Sequence, residues 1–298
     1  MKIGIIGGGA IGLLFASYLG EKFDITILVR REEQLHLINR HGVTLREGDS
    51  SMTACVHSEI VSESKMEFHL IIIAVKEYDL DPILGMLNET ETQIPLLFLQ
   101  NGIGHIDRVK KLPHQTLLAG SVEHGALKEN DHTVIHLGIG KTNLAFVRGE
   151  SNRVEELLIQ QIEKFPFLLQ DDHLEMLLKK LFINVLINPL TAIAGVKNGR
   201  LPENPHFLQI QHNLFEELLI LFPHMQDLIH FQEIMDICYS TSANRSSMLK
   251  DIEEYRKTEI ETILGALIMK AEQEHHFLPI MKTLYELVKG IEREGQGG

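Results

Sequence analysis

Short runs that are almost wholly apolar, "KIGII" (2–6), "DITILV" (24–29), "HLIIIAV" (69–75) and "PLLFLQ" (95–100), alternate with stretches of helical spacing. The first of those carries Ile11, Leu14, Phe15 and Tyr18. Runs without a polar face suit the central strands of a parallel sheet covered on both sides. Strands alternating with helices predict a doubly wound α/β domain. Between 117 and 147 the segments "LLAGSVEH", "HTVIHLG" and "KTNLAFV" predict further strands with glycine-containing turns. From about 171 the strand signal ends and helical periodicity takes over. It is clearest in Ile260, Ile263, Leu264, Leu267, Ile268 and Ala271. "KFPFLLQDD" separates the two textures, which predicts an α/β domain over 1–170 and an all-α domain over 171–298. No internal repeat is present, and the terminal "EREGQGG" is expected to fray.

Composition narrows the class. The chain has 298 residues, 44% of them hydrophobic and 23% charged, which is long enough for two globular domains. A formal charge of −13 argues against nonspecific binding of nucleic acid, which needs a basic face. Cys55 and Cys238 are the only cysteines, so there is no disulfide framework and a reducing cytoplasm is expected. The first twenty residues superficially resemble a signal peptide. Four glycines in 7–12 and the lack of a basic n-region speak against that. No uninterrupted apolar run reaches 18 residues, so no membrane span is expected.

Two constellations carry chemistry. In "IGIIGGGAIG", Gly7, Gly9 and Gly12 form G-x-G-x-x-G between a predicted strand and a predicted helix, the context that makes this pattern specific. Gly7 to Gly12 (with Gly8, Ala10 and Ile11 between) would bring a pyrophosphate to the helix N-terminus, where free N–H groups favour negative charge. NAD-binding versions carry an acid about 20 residues on, for the ribose 2′-hydroxyl. Here "TILVRREEQ" offers Arg30 and Arg31 first, which suits a 2′-phosphate and points to NADPH. The bland reading has both arginines solvating the next helix, paired with Glu32 and Glu33. Lys76, after "IIIAV", is a further cation at the carboxyl edge of the sheet.

The second constellation lies in "KLFINVLINPLTAIAG" (180–195). Lys180, Asn184 and Asn188 interrupt an apolar helix at intervals of four, so they form one stripe drifting about 40° per step. Burying an ammonium and two amides costs several kcal/mol unless each finds a partner. A desolvated Lys180 could give a proton to a ketone oxygen while the amides hold polar substrate atoms. Lys179, about 100° away, leaves the stripe. Pro189 cannot donate to the carbonyl four residues earlier, which predicts a kink or an end beside Asn188. Without a cofactor motif, three polar residues bonded to neighbouring helices would be the better reading.

With that motif, "KLFINVLINPLTA" resembles the K-x-x-x-N-x-x-x-N-P-L-T-A segment of ketopantoate reductases. The likeness extends to "AVK" (74–76), "QNGIG" (100–104), "EHG" (123–125) and "NRSSMLKDI…KTEIE" (244–261). The resemblance implies NADPH-dependent reduction of 2-dehydropantoate (ketopantoate) to (R)-pantoate, a step toward pantothenate and coenzyme A. It also implies a Rossmann-type domain followed by an all-helical domain, with the active site in the cleft between them. Lys180 would then be the proton donor. Asn184, Asn188 and Asn198 would bind substrate, and Asn244, Arg245, Ser246 and Ser247 would hold its carboxylate end. Asn101 would touch nicotinamide and substrate, Ala126 would meet the cofactor through its backbone, and Glu259 would reach the nicotinamide side. Gly7 to Gly12, Arg30 and Lys76 would hold the phosphates. One departure is Asp79, which stands where some relatives carry an amide and would repel a 2′-phosphate.

On one unbroken helix Ser247 and Glu259 would lie about 18 Å apart. "TEIE" (258–261) matches a capping box, with Thr258 as N-cap and Glu261 as its N3 partner, so a second helix is expected to start there. Sixteen histidines invite a metal reading. His132 and His136 on one strand would be about 13 Å apart, and His275 and His276, taken as neighbours on a helix, would diverge. No metal site is expected, and His124 is singled out only because it falls near the predicted cleft. Rival readings are a reductase of another 2-oxo acid on the same fold, a nonenzymatic NADPH sensor, and a scaffold. Oligomeric state, including a homodimer, is not fixed by the sequence.

Overall fold

The computed structural model describes residues 1–160 and 162–296, which divide into two compact units. Residues 1–100 and 105–176 form the first; 101–104 and 177–298 form the second.

In the first unit, β1 (Lys2–Ile6), α1 (Ala10–Leu19), β2 (Asp24–Val29) and α2 (Glu32–His41) lead into a run of short strands. These are β3 (Val43–Glu47), β4 (Ser50–Ala54) and β5 (His57–Ile60). Then come β6 (Leu70–Ile73), α3 (Leu80–Leu87), β7 (Leu96–Phe98) and α4 (Ile106–Val109). The unit continues with β8 (Leu117–Val122), β9 (Gly125–Lys128), β10 (Thr133–Gly138), β11 (Thr142–Arg148), α5 (Asn152–Ile159) and β12 (Phe167–Leu169). The main sheet has the order β12-β11-β8-β7-β6-β1-β2-β5. From β5 to β8 all pairs are parallel, and β11 runs antiparallel to β8. The apolar runs of β1, β6 and β7 lie at its centre, where both faces are covered. Strand order reverses between β1 and β6, the switch point whose carboxyl edge receives ligands in such sheets.

The strands expected between 117 and 147 are present, but they divide between two sheets: β8 and β11 join the main sheet, whereas β9 and β10 pair into a second sheet, β4-β3-β10-β9. That small sheet lies against α1, so α1 is covered all round and every residue from Gly12 to Leu19 is buried. The segment "KFPFLLQDD", read as a separator, contains the edge strand β12, whose polar neighbours mask a three-residue run.

Beside α1 an aromatic and imidazole cluster gathers from α1, β10 and the connections before β9 and β12. The Tyr18 hydroxyl lies 2.7 Å from His136 Nδ1, and His136 Nε2 lies 3.2 Å from His124 Nδ1. The Gly140 N–H donates to that same His124 Nδ1 at 3.1 Å. A backbone N–H can only donate, so His124 Nδ1 carries no proton. His136 must then donate from Nε2 and accept the Tyr18 O–H at Nδ1. The ring of Phe165 stacks on both Tyr18 and His124.

The second unit is helical. It holds α6 (His173–Ala194, begun in the first unit), α7 (Arg200–Glu203), α8 (Pro205–Leu221) and α9 (Phe231–Ser240). α10 (Ser247–Glu253), a π-helical turn (Glu261–Gly265), α11 (Ala266–Gln273) and α12 (Pro279–Gln296) complete it. Its core gathers Phe182, Leu186, Leu218, Leu264, Leu267 and Met281 among others. The buried Glu217 carboxylate accepts the N–H groups of Ile280 and Met281, satisfying the start of α12. Residues 292–296 of the terminal stretch complete α12, and residues 297–298 lie outside the described residues. His275 and His276 follow α11 in a turn, with His275 at φ 59°, and do not share a helix. By length and composition α6 could cross a membrane, but 72% of its apolar window is buried inside the protein, which marks a core helix.

The imidazoles predict how stability depends on pH. Burial, reinforced by the neighbouring His136, pushes His124 down to about 4. Burial, with Arg108 nearby, does the same for His105. His136 is also lowered by burial, against the raising pull of Glu47 and alongside the lowering effect of Lys164. These groups stay neutral in the fold while unfolded histidines protonate near 6.5, so their contribution is complete above about 6.5 and is lost as pH falls toward 4. Each steepens that loss by up to about 1.4 kcal/mol per pH unit. Denaturant melts between pH 7.5 and 5 should show the decline beginning above the carboxylate range, and His124→Asn should flatten it. A wild-type stability that stays level from pH 6.5 to 5 contradicts this account.

Candidate active site

β1 ends at Ile6 and α1 begins at Ala10, so Gly7, Gly8 and Gly9 make the whole connection. A Cβ on Gly12 would collide with the Gly7 carbonyl oxygen, so α1 starts this close to the turn only with glycine there. Gly9 is the opposite case: nothing lies within 4 Å of where its Cβ would go. Gly9 caps α1 without a side-chain hydrogen bond, and the first turn, with Ala10 and Ile11, carries no acid. The open N–H groups therefore face room that an anion can fill, and these residues fit the pyrophosphate of a dinucleotide. Gln34 on α2 pins the loop by donating from Nε2 to the carbonyls of Gly8 and Asp131, both at 2.8 Å.

Cations stand around this edge. Arg30 follows β2 and is largely exposed, and it meets Asp79 through two hydrogen bonds of 2.9 and 3.3 Å. Arg31, the N-cap residue of α2, pairs with Asp131, which Lys128 also reaches at 2.7 Å. Burial alone would raise the Asp131 carboxyl, but hydrogen bonds from Lys128 and Arg31 hold it below its ordinary range. Lys76 is exposed just beyond β6. Ala126 lies in β9, in the small sheet, opposite His136. Neither arginine of "VRREE" pairs with Glu32 or Glu33 in the structure; their partners are Asp79 and Asp131.

In the second unit the stripe of α6 is intact. Leu181, Phe182, Val185, Leu186 and Ile187 are buried, Lys180 and Asn184 are half-buried, Asn188 is buried, and Lys179 is exposed. Pro189 does not end the helix, which continues to Ala194 within the core. One turn beyond, the Thr191 hydroxyl lies 2.7 Å from that of Ser246, whose oxygen also accepts the Leu249 N–H as the N-cap of α10. Ser246 is thus committed to joining α10 to α6, while Asn244, Arg245 and Ser247 beside it are exposed. Arg245 pairs with Glu253 at 3.0 Å. The Asn198 N–H donates to the Asn244 carbonyl, and its Nδ2 donates to Thr241, which draws 198 and 244 together.

Asn101 also belongs to this unit and donates from Nδ2 to the buried carboxylate of Glu259 at 2.8 Å. Gly102 packs so tightly that a Cβ there would come within 2.6 Å of the Thr262 carbonyl oxygen. The chain between α10 and the π-helical turn is non-helical at 256–258, so Ser247 and Glu259 lie on separate segments. The capping box is only half made. Thr258 accepts the Ile260 N–H, but its own N–H goes to Glu292 on α12. Glu261 is held by Lys289 and Tyr285 instead. Among the described residues, no group of three or more His, Cys, Asp or Glu could hold a metal ion.

Comparison with known proteins reads this arrangement as a family. Residues 3–149 match the family described as ketopantoate reductase PanE/ApbA, and residues 172–292 match its C-terminal part. The 2-dehydropantoate 2-reductase of Listeria innocua is 36% identical, over 99% of this chain and 98% of its own length. That of Bacillus subtilis is 35% identical, over 98% of each. The chain belongs to the ketopantoate reductase PanE/ApbA family. A crystal structure of a probable 2-dehydropantoate 2-reductase, panE of Bacillus subtilis, superposes with a TM-score of 0.91 at 33% identity, covering 98% of this chain and all of that one. A D-mandelate dehydrogenase solved with NADH and anilino(oxo)acetate shares the fold at a TM-score of 0.89 and 24% identity, covering 99% of this chain and all of that one.

Sequence reasoning gives Gln34 and Thr191, the last residue of "TILVRREEQ" and the threonine of "NPLTA", no role, because each is an ordinary polar residue on a helix and acts through a partner far along the chain. Gln100, buried and donating to the carbonyls of Ile73 and Val75, enters it only as part of "QNGIG". Its place directly behind an apolar strand is the available signal.

Gly12 and Gly9 of this loop should separate folding from binding. Gly12→Ala should destabilise the first unit by about 1–3 kcal/mol or more, because the clash is with backbone. Gly9→Ala should melt within about 1 kcal/mol of wild type yet lose most dinucleotide affinity, read by calorimetric titration. Equal melting losses in both variants would mean that Gly9, too, serves packing.

Proposed function

We propose that this chain is an NADPH-dependent 2-dehydropantoate 2-reductase that converts ketopantoate to (R)-pantoate. The observation that carries the reading is the Lys180, Asn184, Asn188 stripe on a helix otherwise committed to the core. Such a stripe is costly in a scaffold and useful in an enzyme. Family membership and the match to curated 2-dehydropantoate 2-reductases support the same substrate. Arg30 supports the choice of NADPH.

When bound, the reduced nicotinamide supplies the hydride that reaches the carbonyl carbon. The Lys180 ammonium gives its proton to the ketone oxygen as negative charge develops there, which completes the alcohol. The amides of Asn184 and Asn188 hold polar substrate atoms. Asn244, Arg245 and Ser247 face the substrate carboxylate, with Asn198 placing Asn244 and Ser246 setting the start of α10. Glu259 orients the Asn101 amide for nicotinamide and substrate. Residues 1–170 act as the cofactor-binding domain and 171–298 as the substrate-binding, catalytic domain.

Purified protein should oxidise NADPH when ketopantoate is added, faster than with other 2-oxo acids in a panel. Lys180→Ala should keep its fold and its thermal shift on adding NADPH while kcat falls about 10²–10⁴-fold, and Lys179→Ala should stay close to wild type. Retention of more than about a tenth of the rate in Lys180→Ala would remove Lys180 as proton donor. A thermal shift with NADPH but no turnover of any 2-oxo acid would leave a nucleotide-binding protein and not a reductase.

A further inference from the structure

Arg30 directly follows β2, Asp79 lies in the 3₁₀ turn that follows β6, and the two meet where a 2′-phosphate is expected. Both terminal nitrogens of the Arg30 guanidinium are taken by the Asp79 carboxylate, at 2.9 and 3.3 Å. The fork that would grip a phosphate is therefore already gripping an acid. Asp79 is well anchored. It closes a 3₁₀ turn from Glu77, its N–H bonds to the Lys76 carbonyl, and Arg108 holds Glu77 at 2.6 Å. Arg31, the next cation along, is occupied by Asp131. Arg30 is 70% exposed and Asp79 27%, so the pair is in contact with water and can exchange partners at small cost.

We propose that Asp79 sets the cofactor selectivity of this chain: it competes with a 2′-phosphate for Arg30 and offers a carboxylate to a 2′-hydroxyl, so NADH is accepted alongside NADPH. The inference rests on the dinucleotide reading above and deepens it. A 2′-phosphate arriving at Arg30 finds its charge offset until Asp79 is displaced. A ribose 2′-hydroxyl can donate to Asp79 while the ion pair stays closed, as it does to the acid of NAD-binding loops. Since the charges are partly screened by solvent, the expected effect is moderate, about 3–10-fold in affinity.

The test is the dissociation constant of NADPH and of NADH, measured by nicotinamide fluorescence for wild type, Asp79→Asn, Arg30→Gln and the double variant. Asp79 makes no side-chain cap on α3, so the amide keeps the helix. Wild type should discriminate less than about tenfold in favour of NADPH. Asp79→Asn should tighten NADPH about 3–10-fold, more so at low salt, and leave NADH unchanged or weaker. Adding Arg30→Gln should cost NADPH more when Asp79→Asn is already present than in wild type. An unchanged NADPH-to-NADH ratio in Asp79→Asn overturns the inference, as does weaker NADPH binding, which would mean that Asp79 holds Arg30 ready for phosphate. Wild type preferring NADPH more than about 100-fold also overturns it while sparing the reductase reading. Binding of neither nucleotide takes down both.

Discussion

The second unit depends on one constraint: α6 is too apolar to lie anywhere but in a core, yet it carries an ammonium and two amides along one face. Unpaired burial of those groups would cost more than a domain of this size can spare. Polar groups on other segments of this unit are paired among themselves and with the end of α6. Ser246 caps α10 and joins it to Thr191, and Asn198 ties itself to the backbone of Asn244. Asn101 and Glu259 satisfy one another across 158 positions of chain. A segment with so many polar groups tolerates few arrangements, because each amide must find a donor or acceptor in the right direction.

Legibility in the sequence followed the range of the interactions. The central strands and the amphipathic stripe of 260–271 could be read because apolar periodicity is local. So could the Lys180, Asn184, Asn188 face, since helix geometry alone puts those residues together. The small sheet could not be read. β3, β4, β9 and β10 look like any short strands, and only the burial of α1 on all sides decides that they cover it. Thr258 shows the same limit at finer scale. Its cap was legible, but the carboxylate that takes its N–H is Glu292, 34 residues on, because Lys289 and Tyr285 had claimed Glu261. Propensity and motif specify what a residue needs; tertiary packing decides which residue supplies it.

The first unit works under a different constraint, the management of charge. The chain is strongly acidic, and the ligands proposed for it are anions. Free N–H groups at the start of α1 attract negative charge without adding any titratable cation, and they cannot be neutralised by a neighbouring carboxylate swinging in. The side-chain cations can be, and Arg30, paired with Asp79, is. Selectivity is a difference between two affinities. The backbone loop binds the part that both nucleotides share, so it raises both affinities together. Only groups at the 2′ position would separate them, and in the proposed site the Asp79 carboxylate opposes the Arg30 guanidinium. A closed ion pair keeps Arg30 ordered and lowers the local field at once. Order favours any ligand that can use the pair as it stands, whereas the lowered field disfavours only the one that brings an extra phosphate. The identity of residue 79 therefore acts on the ratio and not on the common term, which is why one amide or acid at that position can retune a cofactor site without disturbing the fold that holds it.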